Sequence, residues 1–159
     1  MRLVLGSTTP EVILPASSEA EAGMMRPSGT EISWHRLIGP ITATRFTRTE
    51  LWVGAMGADR RPIASRFVSR LPINGVTPSI GHRFGRVWVG EALDVVGVYD
   101  TTTGERREYR SPAGRVNGHQ AILGPDEIGV AVSYPSVAQG LETIELVRYD
   151  SLPVVPTPQ

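Results

Sequence analysis

The chain has 159 residues, 13 prolines, 17 glycines, no cysteine, and 16 basic groups against 16 acidic ones. This length buries a core without covalent staples, and the missing cysteine excludes thiol nucleophiles, disulfides, zinc ribbons and iron–sulfur clusters together. Every basic residue is arginine, which excludes Schiff-base and P-loop lysine chemistry, and the balanced charge argues against general nucleic-acid binding.

Residues 1–14 read as an N-terminal strand region. Only Leu3, Val4 and Leu5 follow Arg2 as an apolar run, against the roughly 7 to 15 residues of a secretory leader, so no signal peptide is expected. No run approaches the roughly 20 apolar residues of a membrane span, so a soluble chain with no membrane partner is expected. Residues 15–31 are small and polar and read as a low-complexity arm or loop. Ser18 and Glu21 offer a capping box for one short helix as the other option.

Residues 32–151 read as a β domain. Val, Ile and Thr supply 40 residues of the chain against 23 from Ala and Leu, and branched side chains suit a pleated surface. Strands are expected at 41–48, 51–55, 63–70, 86–90, 95–99, 106–110, 119–123, 128–134 and 143–149, with turn residues between most of them. The clearest unit is the hairpin from Val95 to Tyr109, in which Asp100 bonds the turn backbone and Gly104 takes a left-handed conformation. Residues 152–159 carry Pro153, Pro156 and Pro158 and read as an extended tail. The expected fold is therefore all-β, an antiparallel barrel or sandwich with an extended N-terminal arm and a Pro-rich C-terminal tail.

The catalytic inventory is short. His35, His82 and His119 lack local metal-site spacing, and Asp126-Glu127 follows Gly124-Pro125 as an ordinary turn. Nucleophile-elbow, zinc-protease, Walker and dinucleotide motifs are all missing, so no enzyme activity and no cofactor or metal is expected. Arg106, Arg107 and Arg110 form a small basic cluster, read as a solvated strand face or salt bridges, with a phosphate or other ligand site or an interface as the other option.

Leu51-Trp52-Val53-Gly54 and Val87-Trp88-Val89-Gly90 repeat an apolar-Trp-Val-Gly tetrad 36 residues apart. Two readings follow: an internal repeat that presents Trp52 and Trp88 equivalently to a ligand, or two tryptophans packed in one core. Residues 85–109, with strand, turn, Asp-x-x-x-Gly and strand, resemble a blade of a β-propeller. That resemblance implies a ligand-binding or glycan-binding β-repeat module closed by oligomerisation, because one chain supplies too few blades.

The whole pattern of β body, arm, proline tail and neutral charge is similar to small structural proteins of tailed bacteriophages: capsid decoration, head-to-tail connector or tail proteins. The resemblance implies a virion subunit assembled in the host cytoplasm. Its partners would be copies of itself and neighbouring subunits, with the arm and tail lying on them.

Overall fold

The computed structural model describes residues 20–38, 48–59, 62–72, 80–113, 116–133 and 143–157. In chain order the strands are β1 (Ala20–Ser28), β2 (Glu31–Ile38), β3 (Arg48–Met56), β4 (Pro62–Leu71), β5 (Ile80–Arg83), β6 (Arg86–Ala92), β7 (Val95–Asp100), β8 (Arg106–Arg110), β9 (Val116–Gly124), β10 (Glu127–Ser133), β11 (Thr143–Arg148) and β12 (Val154–Val155). A 3-10 turn at Tyr149–Ser151 is the one helical element among the described residues, and no helix among them is long and apolar enough to cross a membrane.

The strands make three antiparallel sheets: sheet 1 in the order β1-β2-β3-β4, sheet 2 in the order β5-β6-β7-β8-β12, and sheet 3 in the order β11-β10-β9. None of them closes on itself, so the expected barrel is corrected to a layered arrangement of separate open sheets. Within the sheets, short turns join β1 to β2, β5 to β6, β6 to β7, β7 to β8 and β9 to β10, each pair running antiparallel, while β12 reaches the β8 edge only after sheet 3. The β7–β8 turn forms as expected. The Asp100 carboxylate accepts from the backbone N–H groups of Thr102 and Thr103, both at 2.8 Å, and Gly104 sits at φ +76°.

Alternation along the strands assigns the faces. Leu51, Val53 and Leu71 of sheet 1 meet Ile80, Val87, Val89 and Tyr99 of sheet 2 in one buried cluster. The opposite face of sheet 2 contributes Val96, Val98 and Tyr109 to a second cluster with Ile128, Val130, Tyr149 and Leu152. Sheet 2 is thus the middle layer, covered on both faces. This explains its near-continuous run of buried residues from Val95 to Tyr99.

The three sheets converge at one end, where β1 lies against β5 and β9 lies against β5 and β6. Each sheet begins at that end, so the stack is a fan whose first strands are gathered together. Arg26 bridges two of them, its Nε donating to the Ile80 carbonyl at 3.0 Å.

Two expected boundaries change. Ala20–Ser28, inside the presumed arm, pairs with β2 from Ala20↔Ile38 to Ser28↔Glu31, with a bulge between Gly23 and Arg26. The β body therefore starts before residue 32. The tail is docked within the chain: Leu152 is buried, and Val154 and Val155 pair with Arg107 and Arg106 of β8. The presumed N-terminal strand region 1–14, residues 15–19 of the arm and most of the strand expected at 41–48 lie outside the described residues.

Candidate functional site

The two tetrads are facing partners in one interface and not equivalents in a repeat. Trp52 is in the third strand of sheet 1 and Trp88 in the second strand of sheet 2. Leu51 and Val53 point towards sheet 2 while Val87 and Val89 point back at them. Alternation then turns the two indoles in opposite directions, which corrects both the equivalent-exposure reading and the reading of a shared tryptophan core. Trp88 packs against the cluster between sheets 2 and 3. Trp52 stands half-buried on the outer face of sheet 1, edge-on to Phe67 with ring centroids 6.0 Å apart, and the Arg36 guanidinium lies 5.1 Å from its centroid. Its indole N–H donates to Glu50 Oε2 at 2.9 Å. A closer counterpart of Trp88 is Trp34, which also occupies the second strand of its sheet. Both rings lie over glycines of a neighbouring strand, Gly54 for Trp34 and Gly81 for Trp88.

Arg106, Arg107 and Arg110 divide between two faces, as adjacent strand residues must. Arg106 is buried on the side of sheet 1. Its guanidinium donates to both carboxylate oxygens of Glu91 and to Glu108 Oε2 at 2.9 Å. The Tyr99 hydroxyl also donates to Glu91, and burial followed by the charge of Glu91 pushes that phenol well above its ordinary range. Arg110 continues the ladder outward with bonds of 2.8 Å to Glu108 and to Asp94. Gly97 makes room for the buried carboxylate, since a Cβ there would overlap Glu91.

On the other face, Arg107 donates to the carbonyls of Asp150 at 3.0 Å and Leu152 at 3.1 Å. The guanidinium groups of Arg107 and Arg86 sit 4.8 and 3.8 Å from the centroid of the Tyr149 ring. These arginines hold sheets and turns together, and each already has its counter-charge or acceptors.

Two histidines are buried between sheets 1 and 2. Both ring nitrogens of His35 are without a hydrogen-bond partner among the described residues, and burial lowers its pKa to about 4. His82 Nε2 lies 3.3 Å from Glu31 Oε2, and burial outweighs that charge to lower its pKa as well. The side chain of His119 lies outside the described residues. Among those described, no three His, Asp or Glu side chains converge as a metal site.

The most unusual surface is the outer face of sheet 3. In Thr143-Ile144-Glu145-Leu146-Val147 the alternation would place isoleucine and leucine inward, yet the structure has the reverse. Val147 packs on the inner cluster and Glu145 accepts the Tyr109 hydroxyl at 2.6 Å. Ile144 and Leu146 are left outside at 74% and 68% exposure, beside Leu123 at 47%. They share that face with Ala121 and Gly129, and Leu123 Cδ1 would lie 3.1 Å from a Cβ on Gly129. Sequence reasoning missed this face because period-two alternation identifies two faces without saying which is inside. No protein-family model, curated protein or solved structure matches the chain.

Proposed function

We infer that the chain is a non-enzymatic structural subunit that joins or reinforces a larger protein assembly. The bacteriophage capsid or tail to which the sequence pattern pointed is the setting proposed for it. The observation that supports this reading is the outward apolar row of Ile144 and Leu146 beside Leu123. A contiguous exposed apolar face of this kind marks a contact surface, whereas single scattered leucines do not. On this reading the docked tail serves the fold, and the contact is made by sheet faces.

The test is native sizing. In extract of its own source the chain should run in a particle far above its 17.2 kDa mass, and Leu146→Glu should shift it to the free fraction. Recovery of the unaltered chain at its own mass would overturn the reading.

A ligand-binding β-repeat module is the second reading, supported by the half-exposed Trp52 with Phe67 and Arg36 around it. It predicts that a glycan panel protects Trp52 from acrylamide quenching. A Trp52→Phe chain with unchanged ligand response would remove it.

A further inference from the structure

An open sheet ends in two strands whose outer backbone groups lack partners, and native edges are blunted by proline, bulges, brevity or cover. Among the described residues, five of the six edges carry such a guard. β1 contains Pro27 and a bulge, β4 begins at Pro62 and shifts register twice against β3, and β9 shifts twice against β10. β5 has four residues and lies against β1 and β9, and β12 has two residues between Pro153 and Pro156. β11 is the exception. Its six residues include neither proline nor glycine, and they pair with β10 from Thr143↔Val132 to Arg148↔Glu127 without a shift. The charge in its middle, Glu145, is turned to the Tyr109 hydroxyl, while Ile144 and Leu146 stand exposed.

We propose that β11 pairs antiparallel with β11 of a second copy of this chain, across a two-fold axis that passes perpendicular to sheet 3 at Leu146. The two sheets join into one of six strands, in the order β9-β10-β11-β11-β10-β9, a common size for open sheets. The pattern of the strand itself selects this occupant and this register. Centring on Glu145 would set two carboxylates directly opposite each other, which is destabilising. Centring on Val147 would oppose Glu145 to Tyr149, where the 3-10 turn leaves the sheet. Centring on Leu146 opposes that residue to itself, Ile144 to Arg148 and Glu145 to Val147, so apolar side chains meet at the axis and the carboxylates stay apart. The contact is isologous: both copies use the same edge, and the pairing closes at two. The inference rests on the assembly reading above and names its first joint, in which the apolar rows of both copies become one band on one face of the joined sheet.

The experiment is light scattering on the purified full chain over a hundredfold concentration range, with circular dichroism to show each variant folded. The wild type should have twice the 17.2 kDa chain mass. Leu146→Glu and Leu146→Arg each put like charges on the axis, and each should raise the dimer dissociation constant at least about tenfold, equivalent to about 1.4 kcal/mol. An equimolar mixture of the two should regain dimer, because the carboxylate of one then meets the guanidinium of the other. The chain has no cysteine, so Leu146→Cys gives a second readout. Directly opposed residues of antiparallel strands have Cα atoms about 4.5 to 5.5 Å apart, within disulfide reach. Leu123→Cys is the comparison, since its two copies would lie about five strand spacings, roughly 24 Å, apart. Under mild oxidation Leu146→Cys should link into covalent dimer much faster than Leu123→Cys.

A wild-type monomer throughout, growth beyond two copies, a dimer indifferent to both charged variants, or no recovery in their mixture would each overturn the edge pair. Equal linking rates at positions 146 and 123 would overturn it too, because the copies would then be meeting through sheet faces. A chain that is monomeric when pure yet large in native extract would sink the pair and leave the assembly reading standing. A pure dimer that stays at twice its chain mass in extract would keep the pair and remove the larger assembly.

Discussion

The indole of Trp88 lies directly over Gly81, its partner in the β5–β6 ladder, and fills the space that a side chain at position 81 would need. The glycine lets a large ring lie flat on the sheet and reach the cluster shared with sheet 3. Gly81→Ala forces that ring to move within a packed layer and should cost about 1–3 kcal/mol. Urea unfolding of the variant checks this. Trp88→Leu should reduce the penalty of the alanine, since it removes the overlapping atoms.

The docked C-terminal segment gives a second expectation. Removing residues 152–159 takes away buried Leu152, the β12 pairing and the carbonyl that Glu108 N–H reaches at Pro153, 3.1 Å away. The loss should be about 2–5 kcal/mol, the range for emptying one large core site. Thermal or chemical melting of the truncated chain would show it, whereas a tail lying on other subunits would leave the melt unchanged.

His35 makes stability depend on pH. Its folded pKa is lowered by burial to about 4 from 6.5, so between those values the unfolded chain binds the proton and the folded one resists it. Stability is fully present above about pH 6.5 and falls as pH drops towards 4, by about 3 kcal/mol at 1.36 kcal/mol per unit. His35→Leu should flatten this part of the curve relative to wild type. Equal slopes in the two chains would contradict the assignment.

The Glu91–Arg106 pair is buried almost completely, with side-chain exposures of 2% and 7%. Glu91→Ala strands a guanidinium and a tyrosine hydroxyl in the interior and should cost about 3–5 kcal/mol. Gly97→Ala should be costly alone, through overlap with that carboxylate, and less costly once Glu91 is alanine, when the remaining close contact is Tyr99 Cε2 at 3.0 Å. The coupling energy of this double-mutant cycle is the measurement.

The elements legible in the sequence are those determined by local chemistry. The hairpin of β7 and β8 could be read from Asp100 and Gly104 because its turn bonds are made by its own residues. β1 could not, since Ala20–Ser28 is poor in branched residues and becomes a strand by pairing with β2. β12 was hidden for a related reason: two valines among prolines extend equally well free or paired, and only the edge of β8 decides. For the candidate sites, adjacency already implied that Arg106 and Arg107 face opposite ways. That Arg106 would find Glu91, 15 residues earlier, depends on the β6–β7–β8 register. The outward turn of Ile144 and Leu146 depends on Glu145 reaching Tyr109 in another sheet, a contact with no local signature.

The return of the chain from sheet 3 to sheet 2 orders events at the ribosome. Val154 and Val155 close the β8 edge only after every strand of sheet 3 has been made, so through that interval the middle sheet carries an unpaired border. Tyr149 and Leu152, which complete the cluster between the two sheets, also arrive last. Sheets 2 and 3 are therefore expected to consolidate together in one late step, while the layer between sheets 1 and 2 draws only on residues up to Tyr99 and can form earlier.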